Sequence, residues 1–504
     1  MPETSSETIR DLIAGREGPA LRQPGRPDLD YPGLLGLVDR TGRQLAGLGL
    51  GPGADVAIVL PNGPEMAAAF MAVGSHAVAA PLNPAYTGDE FAFYMEDLGA
   101  RLLIVADGVE TPARGAAARL GVPVVALRTG ERAGDFTLVD ADGDALPEAE
   151  TRTNGPDDVA LVLHTSGTTS RPKIVPLSSA NVCASARNIA RTLELSPQDR
   201  CLNVMPLFHI HGLIAAVLSS VSAGAAISCT SGFDALRFFG WLDEVKPTWY
   251  TAVPTMHQAI LSRAARNAEI VGRNRLRFVR SSSASLPVPV FRKLEETFGC
   301  PVIEAYGMTE AAHQMASNRL DQQKPGTVGT MGGPEVAIMG DDGRLLGAGE
   351  VGEIVIRGPN VTGGYRNNDK ANAEAFSGGW FRTGDQGDMD ADGFVTIRGR
   401  LKEIINRGGE KVSPREVDDV LMEHPAVAQV VTFAMPHDKL GEEVAAAVVP
   451  VDGQIVDPVE LREFAAKSLA PFKVPRKVVV LDEIPKGPTG KLQRIGLAEK
   501  LGLT

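Results

Sequence analysis

The sequence predicts an α/β protein with a large N-terminal domain of stacked α/β sheets, a small β-rich subdomain, and a small α/β C-terminal domain. Three observations lead to this prediction. The chain has 504 residues, which is too long for one ordinary hydrophobic core. Short apolar runs alternate with alanine-rich segments of helical character up to about residue 324. The pattern of apolar and polar residues then changes near residue 325 and again after residue 400.

The apolar runs have the length of strands, and the segments between them have the composition of helices. Strand–helix alternation of this kind is typical of parallel sheets that are covered by helices. The helical stretches are clearest at 64–74 and 88–98. The predicted strands lie at 54–60, 101–105, 123–127, 159–165, 201–205, 225–229, 276–281 and 302–306.

The region 325–400 differs from what precedes it. The segments PGTVGTMGGPEVAIM, GEIVIRGPNVTGGY and GFVTIRGR are short alternating runs separated by glycine turns, and this pattern predicts a β-rich subdomain. After Arg400 a new α/β texture begins and continues to the end. We therefore expect a large domain over 1–400, including the β-rich part, and a small domain over 401–504.

Composition excludes several classes of protein. Lys plus Arg number 50 and Asp plus Glu number 62, giving a net charge of −12, whereas a nucleic-acid-binding protein would carry a basic excess. No apolar run reaches the roughly 18 residues that span a bilayer. The polar N-terminus MPETSSETIR lacks the apolar region of a signal peptide. We expect a cytoplasmic monomer or homodimer whose four cysteines are buried and reduced.

The strongest local signal is the segment 163–173, LHTSGTTSRPK, in which an apolar strand leads into glycine and hydroxyl residues. Hydroxyl groups and free backbone N–H groups can cradle phosphate oxygens, and a lysine adds positive charge. The spacing differs from the Walker A pattern. The candidate phosphate ligands are Thr165, Ser166, Gly167, Thr168, Thr169 and Lys173.

Further motifs follow this loop in order. They are YGMTE at 306–310, GEI at 352–354, WFRTGD at 380–385, GRLKE at 399–403, GGEKV at 408–412 and PTGK at 488–491. Together they resemble the adenylate-forming superfamily, which includes acyl-CoA synthetases, luciferases and peptide-synthetase adenylation domains. The resemblance covers nearly the whole chain. It implies an ATP-dependent ligase that activates a small carboxylic acid as an acyl-adenylate and passes the acyl group to coenzyme A.

Acid activation brings a carboxylate onto the α-phosphate of ATP, so the site must supply positive charge where two anions meet. The resemblance implies that Lys491 supplies that charge. It also implies that Glu310 positions Mg²⁺, with Thr165 as a further metal ligand, because Mg²⁺ takes hard oxygen ligands. Thr309 is expected at a phosphate oxygen.

The remaining nucleotide and coenzyme residues also follow from the resemblance. Tyr306, beside Gly307, should stack on adenine, Asp385 should bind the ribose hydroxyls, and Arg400 should lie close by. Lys402 corresponds to the hinge about which the small domain rotates after adenylation. That rotation brings Gly408 and Gly409 over the pantetheine channel, where glycine permits close approach of the backbone.

Longer stretches resemble the oxalate–CoA ligase branch of the superfamily. They are HTSGTTSRPK at 164–173, PLFHIHG at 206–212, WYTAVPT at 249–255, RSSSASL at 280–286 and EIINRGGEK at 403–411. Oxalate carries a second carboxylate, which needs hydrogen-bond donors or positive charge when it is desolvated. The candidate substrate residues are His209, His257, Ser281, Ser282, Ser283 and His313, with Ser282 and His313 favoured for the second carboxylate; His209 is also a candidate catalytic residue.

Alternatives stay open at this point. The acid could instead be malonate, acetate or another short-chain acid. Relatives that take malonate tend to place arginines around the distal carboxylate, whereas residues 256–258 of this chain are Met, His and Gln. Relatives usually have glycine where this chain has Ile174, and a β-branched residue resists positive φ. Either position 174 is ordinary extended backbone, or the mobility of the phosphate loop is reduced. A separate alternative is a catalytically impaired nucleotide-binding homologue with Ile174 as the cause.

Overall fold

The computed structural model describes residues 7–165, 172–485 and 492–503. Within these residues the chain forms four sheets, two of them in the α/β part of the large domain. The predicted strands and helices are confirmed to within about two residues at each end. The α/β class, the large N-terminal domain and the small C-terminal domain are therefore as the sequence predicts.

The largest sheet has nine strands, and its central neighbours run parallel. Parallel strands buried on both faces read as continuous apolar runs, which is why the sequence reveals them. In spatial order the strands are Thr330–Met331, His313–Ser317, Val302–Met308, Phe278–Ser282, Trp249–Ala252, Arg200–Asn203, Ala226–Cys229, Pro19–Arg22 and Leu29–Asp30.

The second sheet has seven strands and is also mostly parallel. Its central strand Asp55–Val59 is buried at every position, and the helix Pro64–His76 beside it is buried along almost its whole length. In spatial order the strands are Phe136–Val139, Val124–Thr129, Leu102–Ala106, Asp55–Val59, Val78–Pro81, Val159–His164 and Ile174–Ser178.

The remaining two sheets have five strands each. The β-rich subdomain is antiparallel and consists of Glu335–Met339, Gly352–Arg357, Trp380–Met389, Phe376–Ser377 and Val395–Arg400. The small domain contains Glu410–Val412, Ile405–Arg407, Gly441–Pro450, Val427–His437 and Lys477–Val480. One sheet therefore ends at Arg400 and the next begins at Ile405.

Helices cover the sheets, and their ends follow local sequence signals. In the helix Gly88–Leu98, Thr87 and Glu90 form a capping box, and Gly99 ends the helix in the left-handed conformation, as its lack of a Cβ allows. The α-helices are Ile9–Ile13, Tyr31–Gly47, Pro64–His76, Gly88–Leu98, Pro112–Leu120, Ser179–Thr192, Ser219–Ser222, Phe238–Val245, Pro254–Ala264, Ala268–Arg273, Val288–Phe298, Asp369–Ala375, Pro414–Leu421, Pro458–Ala465 and Leu497–Lys500.

Three irregular helical segments complete the fold: the π-helix His211–Leu218 and the 3₁₀ turns Ala265–Asn267 and Thr309–Ala311. All four cysteines are buried. Over the described ranges, no helix combines the length and the apolar character needed to cross a membrane.

Candidate active site

A cavity of about 670 Å³ lies between the large domain and the small domain. Its large-domain wall includes residues at or just after the carboxyl ends of parallel strands, which is where open α/β sheets bind ligands. The size is that of a site for a nucleotide or a drug-sized molecule. The sequence-predicted residues that line it are Thr165, His209, Ser283, Tyr306, Gly307, Thr309, Asp385 and Arg400.

Tyr306 and Asp385 form one wall of the cavity and are bonded to each other. The Tyr306 hydroxyl donates a hydrogen bond to Asp385 Oδ2, and Asp385 Oδ1 lies 3.2 Å from Nε of Arg400. Burial raises the pKa of Tyr306 well above its usual value, and the charge of Asp385 raises it further. The phenol therefore stays protonated, and the wall offers an aromatic ring beside a carboxylate acceptor, the groups that an adenosine can use.

Gly307 is required by the close approach of two chain segments at this wall. A Cβ at this position would lie 2.2 Å from the backbone oxygen of His313, a distance that no side chain can tolerate. The sequence pattern thus places glycine where the strands Val302–Met308 and His313–Ser317 come together, with an irregular register between Tyr306 and Gly307.

Glu310 is a buried carboxyl group beside the cavity residue Thr309. Tyr365 donates a 2.9 Å hydrogen bond to Glu310 Oε1, and Lys173 Nζ lies 4.3 Å from the centre of the Tyr365 ring. Burial raises the pKa of Glu310, while its hydrogen bonds and the charges of Arg400 and Lys173 act in the opposite direction. Glu310 is therefore a buried carboxyl group that is influenced by the positive charges of Lys173 and Arg400.

The phosphate loop is described at its two ends. Thr165 N donates to Lys173 O over 2.9 Å, and Lys173 N donates to Thr165 Oγ1 over 3.2 Å, so the backbone pairing of the two strands continues to the base of the loop. The predicted ligands Ser166, Gly167, Thr168 and Thr169 lie outside the described residues.

Ile174 is ordinary extended backbone, the first of the two alternatives. It is the first residue of the strand Ile174–Ser178, pairs with His164 across the hairpin, and is buried among apolar side chains of the seven-stranded sheet. A β-branched residue suits such a position. The isoleucine therefore acts as a core residue of the hairpin that carries the loop.

A second wall of the cavity comes from the segment 206–212. His209 lines the cavity, and the π-helix His211–Leu218 begins two residues later; such helices are common at functional sites. A Cβ on Gly212 would lie 2.3 Å from Pro206 O. His211 is fully buried, and its Nδ1 lies 2.9 Å from Ser283 Oγ, so it supports the cavity wall from behind.

Ser282 and His313 lie next to each other at the carboxyl end of the strand Phe278–Ser282. Ser282 Oγ donates a 2.8 Å hydrogen bond to Ala305 O and lies 3.5 Å from His313 Nε2. Both residues are buried. His313 and Ser283 have φ values of +96° and +73°, a region that is costly for residues with a Cβ and that is often found at functional sites.

Ser281 and His257 lie apart from that pair. Successive side chains of a strand point to opposite faces of the sheet, so Ser281 faces away from Ser282. His257 belongs to the helix Pro254–Ala264, and its Nδ1 lies 3.1 Å from the Tyr250 hydroxyl. Burial lowers the pKa of His257 to about 3. The structure thus groups Ser282, Ser283 and His313 and leaves these two residues in the core on the other side.

Glu304 is a cavity residue that the sequence reasoning missed. It lies in the strand Val302–Met308, is only 1% exposed, and accepts a 3.0 Å hydrogen bond from Leu286 N. Burial raises its pKa to about 7, opposed by the charge of Arg415 from the small domain. A charged residue inside the apolar run VIEAY was the available signal.

Replacing Glu304 with glutamine is expected to remove a pH-dependent loss of stability. Because the folded-state pKa is raised from 4.5 to about 7, the folded protein keeps a proton that the unfolded chain gives up between these values. Stability is therefore greatest below the lower value and falls by up to roughly 3 kcal/mol as pH rises through the window. Glutamine retains the acceptor for Leu286 N.

The measurement is the melting temperature of both proteins between about pH 5 and pH 8, with the exposed Glu269 changed to glutamine as the matched control. The melting temperature of the wild type should fall relative to that of Glu304→Gln as pH rises. The melting temperature of Glu269→Gln should change with pH as that of the wild type does. Parallel curves for all three proteins would show that Glu304 does not titrate in this range.

The small domain contributes the segment after Lys491 to the cavity. Lys491 itself lies outside the described residues, whereas residues 492–495 line the cavity. Gly408 and Gly409 form the tight turn of the hairpin 405–412, with φ values of +59° and +98° that favour glycine. They do not contribute to the cavity wall. Lys402 is exposed in the turn between the two domain sheets.

Comparison with known proteins agrees with this architecture. Residues 16–366 match the AMP-binding enzyme family, and residues 416–491 match the AMP-binding enzyme C-terminal domain. The oxalate–CoA ligase of Arabidopsis thaliana is 46% identical over 483 residues, covering 94% of this chain and 94% of that protein. The oxalate–CoA ligase of Saccharomyces cerevisiae is 41% identical over 534 residues, covering 99% and 93%.

Solved structures show the same fold around a bound nucleotide. The crystal structure of ATP-bound MatB from Rhodopseudomonas palustris matches with a TM-score of 0.87 at 28% identity and covers 98% of this chain and 99% of that chain. The family matches span both domains, and the cavity lies between them. The chain therefore belongs to the AMP-binding enzyme family and is an AMP-forming acyl-CoA synthetase, an acid–CoA ligase that uses ATP and works through an acyl-adenylate.

Proposed function

We propose that the acid is oxalate and that the products are oxalyl-CoA, AMP and pyrophosphate. The observation that carries the proposal is the cluster of hydroxyl and imidazole groups at and behind the cavity wall: His209, Ser282, Ser283 and His313. A two-carbon dicarboxylate needs hydrogen-bond donors such as the His209 and Ser283 side chains at the wall, because burying a carboxylate without hydrogen bonds is costly. The similarity to two oxalate–CoA ligases over more than nine-tenths of the chain supports the same acid.

In the first half-reaction, the acid's carboxylate attacks the α-phosphate of ATP and pyrophosphate leaves. Thr165 and Lys173 stand at the two ends of the phosphate loop, and Thr309 lines the same cavity. We assign these residues to the phosphate oxygens, and Lys491 to the charge that develops between carboxylate and α-phosphate. Tyr306 and Asp385 would hold the adenosine.

Mg²⁺ fits the oxygen donors that this chain offers. The buried carboxyl group of Glu310 and the hydroxyl of Thr165 are hard ligands of the kind that Mg²⁺ takes beside phosphates. When bound, the ion would neutralise phosphate charge. Burial raises the pKa of Glu310, and the charges of Arg400 and Lys173 oppose that rise. These two cations therefore favour the ionised carboxylate that such a site requires.

In the second half-reaction, the coenzyme A thiol attacks the acyl carbon and AMP leaves. We assign the approach of the pantetheine arm to the turn Gly408–Gly409, after rotation of the small domain about Lys402. Hinges are positions that absorb changes in φ and ψ and need no special side chain. Gln258 in the large domain donates a 3.0 Å hydrogen bond to Ala428 O in the small domain, and this contact would have to break during the rotation.

The test is AMP release from purified protein with ATP, Mg²⁺ and CoA, with oxalate, malonate, acetate, succinate and octanoate offered separately. We expect oxalate to exceed malonate in kcat/KM by roughly ten- to 200-fold, the range that one methylene can contribute in a closed pocket. Release with acetate or octanoate alone would keep the ligase and overturn the choice of acid. ATP binding without AMP release for every acid would favour the impaired homologue.

A further inference from the structure

Arg280 is a buried arginine whose charge is not balanced by any carboxylate of the residues that the structure describes. It lies in the strand Phe278–Ser282 and is fully buried. Its guanidinium is 3.3 Å from Gln314 Oε1 and 3.5 Å from His211 Nε2, and Nε has no hydrogen-bond partner among the described residues. None of their carboxylates pairs with it. A desolvated cation without an anion is expensive, so the fold alone gives no reason to keep it.

The position of the guanidinium is fixed by Gln314. The Gln314 amide nitrogen donates to Thr192 Oγ1 over 3.1 Å and to Gly332 O over 2.9 Å. Its oxygen is therefore the atom that faces Arg280, and it can only accept. Arg280 is thus held from one side by an acceptor while its other side faces His211.

The protonation of His211 follows from its neighbours. Arginine only donates hydrogen bonds, so the 3.5 Å contact between Arg280 and His211 is favourable in the tautomer whose Nε2 accepts. The Thr251 hydroxyl, 2.7 Å away, can donate to the same atom. A neutral imidazole then carries its proton on Nδ1. That nitrogen donates to Ser283 Oγ, 2.9 Å away.

Ser283 follows Arg280 and His211 in a series of neighbouring polar side chains, and it is the member of that series that lines the cavity. Its Oγ accepts from His211, so the hydroxyl hydrogen of Ser283 is left to donate elsewhere. Ser283 lines the cavity, and its φ of +73° is a costly conformation that the surroundings must impose. Each group in the series Arg280, His211, Ser283 therefore donates toward the cavity.

We propose that Arg280, His211 and Ser283 form a one-way series of hydrogen-bond donors that recognises the second, non-reacting carboxylate of a dicarboxylic acid. Arg280 acts through His211 and is a positioning residue that sets specificity. The inference rests on the proposed function in requiring a dianionic acid. Burial lowers the pKa of Arg280 only to about 9, so the guanidinium keeps its charge at neutral pH.

The experiment compares two acids of nearly equal shape. Oxamate replaces one carboxylate of oxalate with a neutral amide, so the pair isolates the second negative charge. The variant Arg280→Met is expected to lose roughly 10- to 100-fold in kcat/KM for oxalate, the worth of a hydrogen bond to a charged group. Its kcat/KM for oxamate, or its inhibition constant where oxamate only competes, should change by less than about threefold, because the amide of oxamate carries no negative charge. The KM for ATP should not change.

Three further variants separate recognition from folding. Arg277 precedes the same strand and pairs with the buried Asp199 at 2.6 Å, so Arg277→Met should lower the melting temperature without changing the oxalate-to-oxamate ratio. Ser283→Ala should reduce the ratio as Arg280→Met does, and it carries the test if Arg280→Met fails to fold. Arg280→Lys should restore part of the ratio.

The proposal would be overturned if Arg280→Met and Ser283→Ala left the oxalate-to-oxamate ratio of kcat/KM unchanged, either through equal losses for the two acids or through no loss for either. A wild type that ignores oxalate but uses another dicarboxylate overturns only the choice of acid, and that acid with its monoamide then replaces the pair. A wild type that prefers monocarboxylates overturns both.

Discussion

Replacement of Lys491 with alanine is expected to slow acyl-adenylate formation on the order of 10²- to 10³-fold, while leaving thioester formation from a preformed acyl-adenylate within a few-fold of the wild type. The ammonium group would act only while negative charge develops between the acid and the α-phosphate. Removing a group of this kind costs on the order of 10²- to 10³-fold in rate. Pyrophosphate release reports the first half-reaction, and CoA thioester formation from synthetic acyl-adenylate reports the second.

The arrangement of the neighbouring segment supports this expectation. Residues 492–495 line the cavity, and Arg494 is anchored within the small domain at 2.6 Å from Asp418 and 3.3 Å from Glu403. The residues that follow Lys491 are therefore held at the wall of the cavity. The exposed Lys477 of the same domain provides the control, and Lys477→Ala should leave both half-reactions intact. Equal loss of both half-reactions in Lys491→Ala would contradict a role confined to adenylation.

The fold could be predicted from the sequence because the central strands are buried on both faces. Runs such as ADVAIVL and RLLIV are apolar throughout, and they form the adjacent parallel strands Asp55–Val59 and Leu102–Ala106. The change to short alternating segments after residue 325 likewise marks the antiparallel subdomain. Local composition and tertiary position agree in these elements, so each can be recognised without its neighbours.

The site was predicted less completely, because which residues meet depends on the faces of the sheet. Ser281 and Ser282 are adjacent in sequence, yet alternation along the strand separates them. Arg280 and Glu304 were visible as charged residues inside apolar strands, but their partners come from distant segments such as His211 and Arg415. Sequence spacing identifies the candidate residues, and only the packed sheet decides which of them share a cavity.

Replacement of Glu310 with glutamine is expected to lower kcat/KM for adenylation on the order of 10²- to 10³-fold, because a metal that stabilises phosphate charge contributes several kcal/mol. The change is isosteric, and the glutamine oxygen can still accept the hydrogen bond from Tyr365. The variant should also need more Mg²⁺ for half-maximal rate. The measurement is pyrophosphate release as a function of Mg²⁺ concentration.

Stability and activity should move in opposite directions in this variant. Burial raises the pKa of Glu310, so the ionised carboxylate destabilises the folded state, and its neutral replacement should melt at the same temperature or higher. The matched control is Tyr365→Phe, which removes the 2.9 Å hydrogen bond to Glu310 but keeps the carboxylate. Its kcat/KM for adenylation should fall by no more than about tenfold. A Glu310→Gln protein with the Mg²⁺ dependence of the wild type would assign the metal to other ligands, since the charge removed would then have no part in holding it.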